Sequence, residues 1–461
     1  MMKKINRRDF LKNSGAAAAA AAFASTPGLA YTQVVGNAAP FGDYRALVCI
    51  FLHGGNDSFN MLVPNTDAEY NSYATSRQNL AIAREDLLPI NPASLTPGSE
   101  AFGLHPMMGR MQALFEQGNA AFVANIGPLV EPTTKIEYQN QSVMLPSQLF
   151  SHNDQQSQWN SLKGAGTSKT GWAGRMADLI RNNVANQQMA TNASLYGTSL
   201  FQSADETIAY VMGPSGPLQF EGFSTDPNNI LFDQRLAFQR VVEAQYGSIY
   251  ERGFAAIQAR AIDAADSVSM AILDAEASGA LSTVFPNSPL GMQLETVAKL
   301  IYSRDQLDMQ RQIFFVGIGG FDSHDNQNLD QPGLLGGVSE AIAAFYEATV
   351  EIGVSDSVTT FTQSDFGRTL TSNGDGTDHA WGGNQVVVGG AVNGRDIYGT
   401  YPVLEIGGLE DVGGGRMIPS TSADQYAATL ARWFGIPDID LDIVAPNLSN
   451  FAQRDLGFMI A

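Results

Sequence analysis

The chain has a single cysteine, Cys49, among 461 residues, which excludes a disulfide framework and a multi-cysteine zinc site. Positive charge is also scarce. Twenty-six Lys and Arg face 46 Asp and Glu, a net charge of −20. A surface of that sign excludes nucleic acid as a partner, because binding there needs basic groups that displace counterions from phosphates. It equally excludes electrostatic docking on an anionic bilayer. Charged residues make up only 16% of the chain, against roughly 25% in an average soluble domain. No stretch is a run of ~20 strongly apolar residues, so the sequence implies no stable membrane insertion. Glycine is plentiful at 46 residues but has no collagen-like period, which points to many tight turns.

The first thirty residues read as an address. A basic start with Arg7-Arg8-Asp9-Phe10-Leu11-Lys12 leads into the alanine run Ala16 to Ala22, and Gly28-Leu29-Ala30 supplies small residues for cleavage. The arginine pair resembles a twin-arginine export signal, which implies the twin-arginine translocation machinery as a partner and a periplasmic or secreted destination. Cleavage after Ala30 removes Lys3, Lys4, Arg7, Arg8, Lys12 and Asp9. It leaves 21 basic against 45 acidic side chains, a net charge of −24. That route carries folded proteins, often with a cofactor already loaded, so a metal-loaded cargo is expected.

After a flexible lead-in over 31–44, the rest of the chain, 45–461, reads as one α/β domain. The unbroken apolar run Ala46 to Leu52 has the look of a central strand buried on both faces. Further strands are expected at 121–124, 312–318, 358–362 and 385–388. Helices are expected at 104–117 and 172–180, through the stripe Leu335, Val338, Ile342 and Phe345, and at 423–433. An alanine-rich segment, about 228–282, suits a helical layer or cap. Strands alternating with helices imply βαβ units and a mainly parallel sheet.

All five histidines lie in polar, turn-rich surroundings. His53 ends the first strand in His53-Gly54-Gly55-Asn56-Asp57, at the carboxyl end where open α/β sheets bind ligands. Asp57 suits either a site acid or a helix N-cap. His105 precedes Pro106 at a helix start and reads as structural. Ser151-His152 lies in a polar loop. Asp322 and His324, two apart on an extended segment, project to one side, as a shared ligand requires. Asp365 ends another strand, and His379 follows Asp378 in a loop. Imidazole and carboxylate together suit zinc, manganese or iron.

Taken in order, His53-Gly54-Gly55-Asn56-Asp57, Gly319-Gly320-Phe321-Asp322-Ser323-His324, Ser364-Asp365-Phe366-Gly367-Arg368-Thr369 and Thr377-Asp378-His379-Ala380-Trp381-Gly382 resemble the DUF1501 family of exported bacterial proteins. The late segments Arg416 to Tyr426 and Ala431 to Gly435 fit as well. The resemblance covers nearly the whole mature chain. That family is grouped with the alkaline phosphatase and sulfatase superfamily, which implies a three-layer α/β sandwich with metal ions at strand ends. By motif, Asp322, His324 and His379 are similar to the superfamily's first metal set. Asp365 is similar to an acid of its second set, and Asp57 stands for its early acid.

Three departures qualify the carry-over, the first being that the superfamily's Asp-to-His spacing is longer than the single residue between Asp322 and His324. Phe366 stands where the superfamily has a histidine after its aspartate, so a metal stoichiometry nearer one than two is expected. No segment reproduces a nucleophile motif either. Ser151, His152 and Arg368 are therefore the catalytic candidates on local grounds, with Ser151 offering a hydroxyl beside an imidazole and Arg368 steadying negative charge. The resemblance implies a hydrolase of phosphate or sulfate esters using zinc or manganese. At −24 the chain would repel such a substrate without bound metal. The alternative is a non-catalytic periplasmic protein that keeps the fold for binding or assembly.

Overall fold

The structure is a computed structural model, and it describes residues 40–95, 101–186, 189–217, 224 and 226–460. The export signal over 1–30, and the lead-in as far as residue 39, lie outside the described residues. The described residues fall into two compact units. One comprises 40–217 with 268–460, and the described part of the other runs from 224 to 267.

The larger unit is built on a mixed sheet. Its strands run in the order Ile397–Tyr398, Ala120–Gly127, Gly383–Val388, Val358–Ser364, Arg45–Leu52, Arg311–Ile318, Asn192–Ser194 and Tyr210–Val211, with Thr421–Ser422 also on Ala120–Gly127. All pairings are parallel except the two made by Gly383–Val388. Arg45–Leu52 is central because its apolar run serves two cores at once. Ala46, Val48, Ile50 and Leu52 enter one core, and Leu47, Cys49 and Phe51 enter the other.

The first core is covered by the helices Gly109–Glu116, Pro289–Tyr302 and Gln327–Glu351, and the second by Trp172–Ile180 and Ala423–Phe434. The result is the α/β three-layer sandwich with a mainly parallel sheet. The Ala423–Phe434 helix begins at a capping box between Ser422 and Gln425 and stops at Gly435, where φ is +115°.

One helix starts later than its pattern suggests. The spacing predicts a helix from Leu104, but Phe102–Leu104 pairs with Leu62–Pro64 and Leu88–Ile90 in a small antiparallel sheet, so helix begins at Gly109. The alanine-rich segment is helical over Ile230–Val242 and Ile249–Ser278. Within the smaller unit, Arg235 of the first helix pairs with Asp266 of the second at 2.5 Å.

Register fixes where chemistry can gather. Leu52 lies opposite both Ile318 and Ser364, so three neighbouring parallel strands end together. The residues that follow them, from His53, Gly319 and Asp365, emerge on one edge of the sheet.

Candidate metal centre

Four elements meet at that edge. The turn after the first strand turns back through Gly54, whose φ is +116°, and a Cβ there would lie 2.3 Å from the Asp322 amide nitrogen. Only glycine lets that turn press against the segment carrying Asp322 and His324. A short antiparallel bridge pairs Arg368 with His379, and bonds from Gly367 and Ala380 on either side fold the 367–381 segment back on itself. The fourth element is the helix His152–Ser161, whose first residue points into the group. Phe150 precedes it with φ at +73°.

Three imidazoles surround one carboxylate. Asp322 Oδ1 is 3.2 Å from His324 Nε2 and 3.4 Å from His379 Nε2, and Asp322 Oδ2 is 3.5 Å from His152 Nε2. His324 Nε2 and His379 Nε2 are 2.8 Å apart. Ligand atoms of His152, Asp322 and His379 all lie within 4.8 Å of one another. Each ring is fixed by its other nitrogen. His152 Nδ1 donates to Asp365 Oδ2 at 2.6 Å, His379 Nδ1 to the Phe150 carbonyl at 2.8 Å, and His324 Nδ1 to Asp378 Oδ1 at 3.2 Å.

A ring nitrogen that donates to a carbonyl or carboxylate leaves the opposite nitrogen of a neutral imidazole as a lone pair. The ligand atoms of His152, Asp322 and His379 could thus share one ion, and an imidazole and carboxylate donor set suits zinc or another borderline divalent ion. Backing each ligating imidazole with a hydrogen-bond acceptor is the usual arrangement around metals.

The electrostatics agree. Burial acts to raise the Asp322 carboxyl, but the hydrogen bond and charge of Arg368, with His324 and His152 beside it, hold it below the ordinary carboxylate value. His379 is lowered, by burial first; the bond to Phe150 opposes this, while His152 and Arg368 add to it. Both groups thus favour the forms that bind metal. Asp322 and His324 keep 46% and 45% of their side-chain surface, so the centre is open to solutes.

The sequence-predicted residues divide by role. Asp322, His324 and His379 come together, and His152 joins Asp322 and His379 in the group whose ligand atoms could share one ion. Asp365 is fully buried and stands behind His152, also accepting from Gly54 N and Gln156 Nε2. Arg368 is fully buried and committed to Asp322 Oδ1 at 2.7 Å, to the Gly54 carbonyl and to Thr377. It fixes the Asp322 carboxylate in place. Ser151 Oγ donates to Asp154 Oδ2 at 2.7 Å. Asp57 is not in the cluster: its carboxylate is buried against Arg77 and Gln327.

Phe366 also has a clear place. Its ring, 2% exposed, packs 4.8 Å from His152 and 4.7 Å from His379, centroid to centroid, forming an apolar wall behind two imidazoles. Sequence reasoning missed Gln156, Asp378, the Phe150 carbonyl and the relay behind Arg368. That relay runs from Arg368 Nε to Thr377 Oγ1 at 3.2 Å, on to Gln327 Oε1 at 2.7 Å, and from Gln327 to Asp57. Asp378 could have been found, since it adjoins His379. Gln156 and Phe150 could not, because nothing in their own segment marks them.

Comparison with known proteins follows the same lines. A family profile described as a protein of unknown function, DUF1501, matches residues 44–412, and a twin-arginine translocation pathway signal sequence matches residues 4–24. The chain is thereby handled by the twin-arginine machinery and exported, to a periplasmic or secreted location. No helix among the described residues is long and apolar enough to cross a membrane. A search of curated proteins finds no match.

Similar solved structures include the lipoteichoic acid synthase LtaP from Listeria monocytogenes, at 8% identity and a TM-score of 0.33, covering 86% of this chain and 72% of that one. Another, from work on glycosaminoglycan metabolism by Bacteroides thetaiotaomicron, has 10% identity and a TM-score of 0.31, covering 86% and 74%. Ps i-CgsB has 8% identity and a TM-score of 0.33, covering 90% and 77%. With a match that spans most of its length, the chain belongs to the DUF1501 family.

Proposed function

We propose that this exported protein is a metal-dependent hydrolase of phosphate or sulfate esters, working at a single divalent-cation centre held by His152, Asp322, His324 and His379. The observation that carries the reading is the convergence of the His152, His324 and His379 ring nitrogens on the Asp322 carboxylate, at 3.2 to 3.5 Å. A divalent ion bound there supplies Lewis acidity to an ester oxygen or to an attacking water. Arg368 keeps Asp322 ionised and fixed in place. Asp365 fixes the His152 ring and strengthens it as a donor. Phe366 excludes water behind His152 and His379, while the exposed sides of Asp322 and His324 leave the front accessible.

A second reading, a metal-holding protein without turnover, draws on Ser151, whose hydroxyl is bonded to Asp154 rather than to an imidazole of the cluster. One experiment separates the two. Protein exported in its native host is assayed for bound metals and for hydrolysis of p-nitrophenyl phosphate and p-nitrophenyl sulfate, before and after chelation. About one metal equivalent with turnover that chelation removes and metal restores supports the hydrolase. The same metal content without turnover on any ester tried supports the second reading, and no bound metal overturns both.

A further inference from the structure

An ester hydrolase must hold an oxyanion, and the arginine that the sequence offers for this, Arg368, is enclosed and spent on Asp322. Arg416 is different. Its Nε donates to the backbone carbonyl of His379 at 3.1 Å, and its Nη1 to that of Gly413 at 3.0 Å. Its guanidinium carbon lies 5.2 Å from the centre of the Phe150 ring. Phe150 is the residue whose carbonyl orients His379, so Arg416 is tied to two residues of the metal centre. Among the described residues no carboxylate pairs with it, and its Nη2 makes no hydrogen bond. In a chain of net charge −20, a half-buried guanidinium with a spare donor on the backbone of His379 calls for an explanation.

The backbone around it is tightly pinned. The Asp411 carboxylate, 1% exposed, accepts from Gly407 N at 2.8 Å, Gly413 N at 2.7 Å and Gly415 N at 2.9 Å. Gly415 has φ at +76°, and a Cβ there would lie 2.6 Å from the backbone nitrogen of Leu370. Leu370 N bonds the Gly415 carbonyl, and Thr371 Oγ1 that of Gly414. The loop is thus pinned on both sides immediately before Arg416, and the side chain is held by its Nε and Nη1 bonds. A guanidinium fixed by two carbonyls loses little further freedom when it binds an anion.

We infer that Arg416 is the oxyanion-recognition residue of this centre, binding the non-bridging oxygens of a tetrahedral phosphoryl or sulfuryl group through its free Nη2 edge. The inference rests on the proposed hydrolase reading for the nature of the anion, but its test does not depend on turnover. Binding of inorganic phosphate and of inorganic sulfate is measured by calorimetry on metal-free and zinc-loaded protein, for wild type, Arg416→Gln and Arg416→Lys, with zinc affinity and melting temperature measured alongside. Charged hydrogen bonds of this kind contribute about 1.5–3 kcal/mol, so Arg416→Gln should weaken anion binding roughly 10- to 100-fold. Zinc affinity should stay unchanged. Arg416→Lys, which keeps the charge but loses the fork, should fall between, and it serves if the glutamine variant fails to fold.

The larger affinity of the two anions assigns the ester type. Equal anion affinity in wild type and variants, or no anion binding by wild type in either form, overturns the inference. Failure of wild type to bind zinc overturns the metal reading alone, because the metal-free comparison still reports on Arg416.

Discussion

Nδ1 of His152 lies 2.6 Å from Oδ2 of Asp365, although 213 positions separate them in the chain. One opens a helix and the other directly follows a strand, and the bond between them turns the remaining ring nitrogen of His152 toward Asp322. Asp365, expected as a metal ligand, is bonded to the His152 ring, and on the proposed reading it supports that ligand. Its removal should loosen the metal without abolishing the site. Asp365→Asn is expected to weaken zinc binding by about 10- to 100-fold, as outer partners of ligating histidines generally do. Competition with a chromogenic chelator measures this. Undiminished affinity would mean that His152 is not a ligand.

Phe366 gives the second prediction. An imidazole in its place would face the same two rings, at the distances the phenyl ring now keeps, and so could not organise an independent second site. Phe366→His should still bind one metal per chain, at a lower melting temperature. Phe366→Ala should cost about 3–5 kcal/mol of stability, the usual range for emptying such a position. Elemental analysis finding two equivalents in Phe366→His would defeat this account.

The third prediction concerns Asp57 and Arg77, both fully enclosed and paired. Arg77 also donates to Asn60 Oδ1 at 3.1 Å and to the Thr369 carbonyl at 2.8 Å, so the pair is well satisfied on the guanidinium side. Arg77→Met leaves a buried carboxylate without its cation and should cost about 3–5 kcal/mol. Adding Asp57→Asn to that variant should recover much of the loss, because the uncompensated charge disappears. Urea denaturation of the two single variants and the double variant tests the coupling. Additive losses would show that the pair does not act as a unit.

The strands and most helices were legible because their signals are local. Ala46 to Leu52 is apolar on both faces and becomes the central strand, and Trp172–Ile180 carries its helical stripe within nine residues. The gathering of Asp322, His324 and His379 was legible because each flanks a strand end: Asp322 and His324 follow Arg311–Ile318, and His379 precedes Gly383–Val388, whose antiparallel run starts at the end where the parallel strands stop. Roles within the gathering were not. Asp365 and Asp57 are both acids after strands, yet one meets an imidazole and the other a guanidinium, and Arg77 comes from a helix that no motif connects to the site. Likewise the burial of Arg368 depends on Gly54, Thr377 and Asp322 closing around it, three segments whose approach only the folded chain defines.

His105 supplies the last prediction. It is 6% exposed, and its Nδ1 accepts the backbone N–H of Met107 at 3.1 Å. Protonating that nitrogen would break the bond and place a charge in the core. Burial accordingly pushes the imidazole down to about 4, against a smaller opposing pull from Asp57. A histidine depressed in the folded state stays neutral there while the unfolded chain takes up a proton below its ordinary value of about 6.5. Between those two values the unfolded state binds more protons, so its population grows as pH falls. The stability from this residue is present in full at neutral pH, and up to about 3 kcal/mol of it is lost as pH drops from about 6.5 to about 4. His105→Asn keeps an acceptor near the Met107 amide but cannot titrate. Urea midpoints for both proteins from pH 7.5 down to 4.5 should therefore show wild type losing ground to the variant as the solution is acidified. A difference between them that stays constant with pH would show that His105 titrates alike in the folded and unfolded chains.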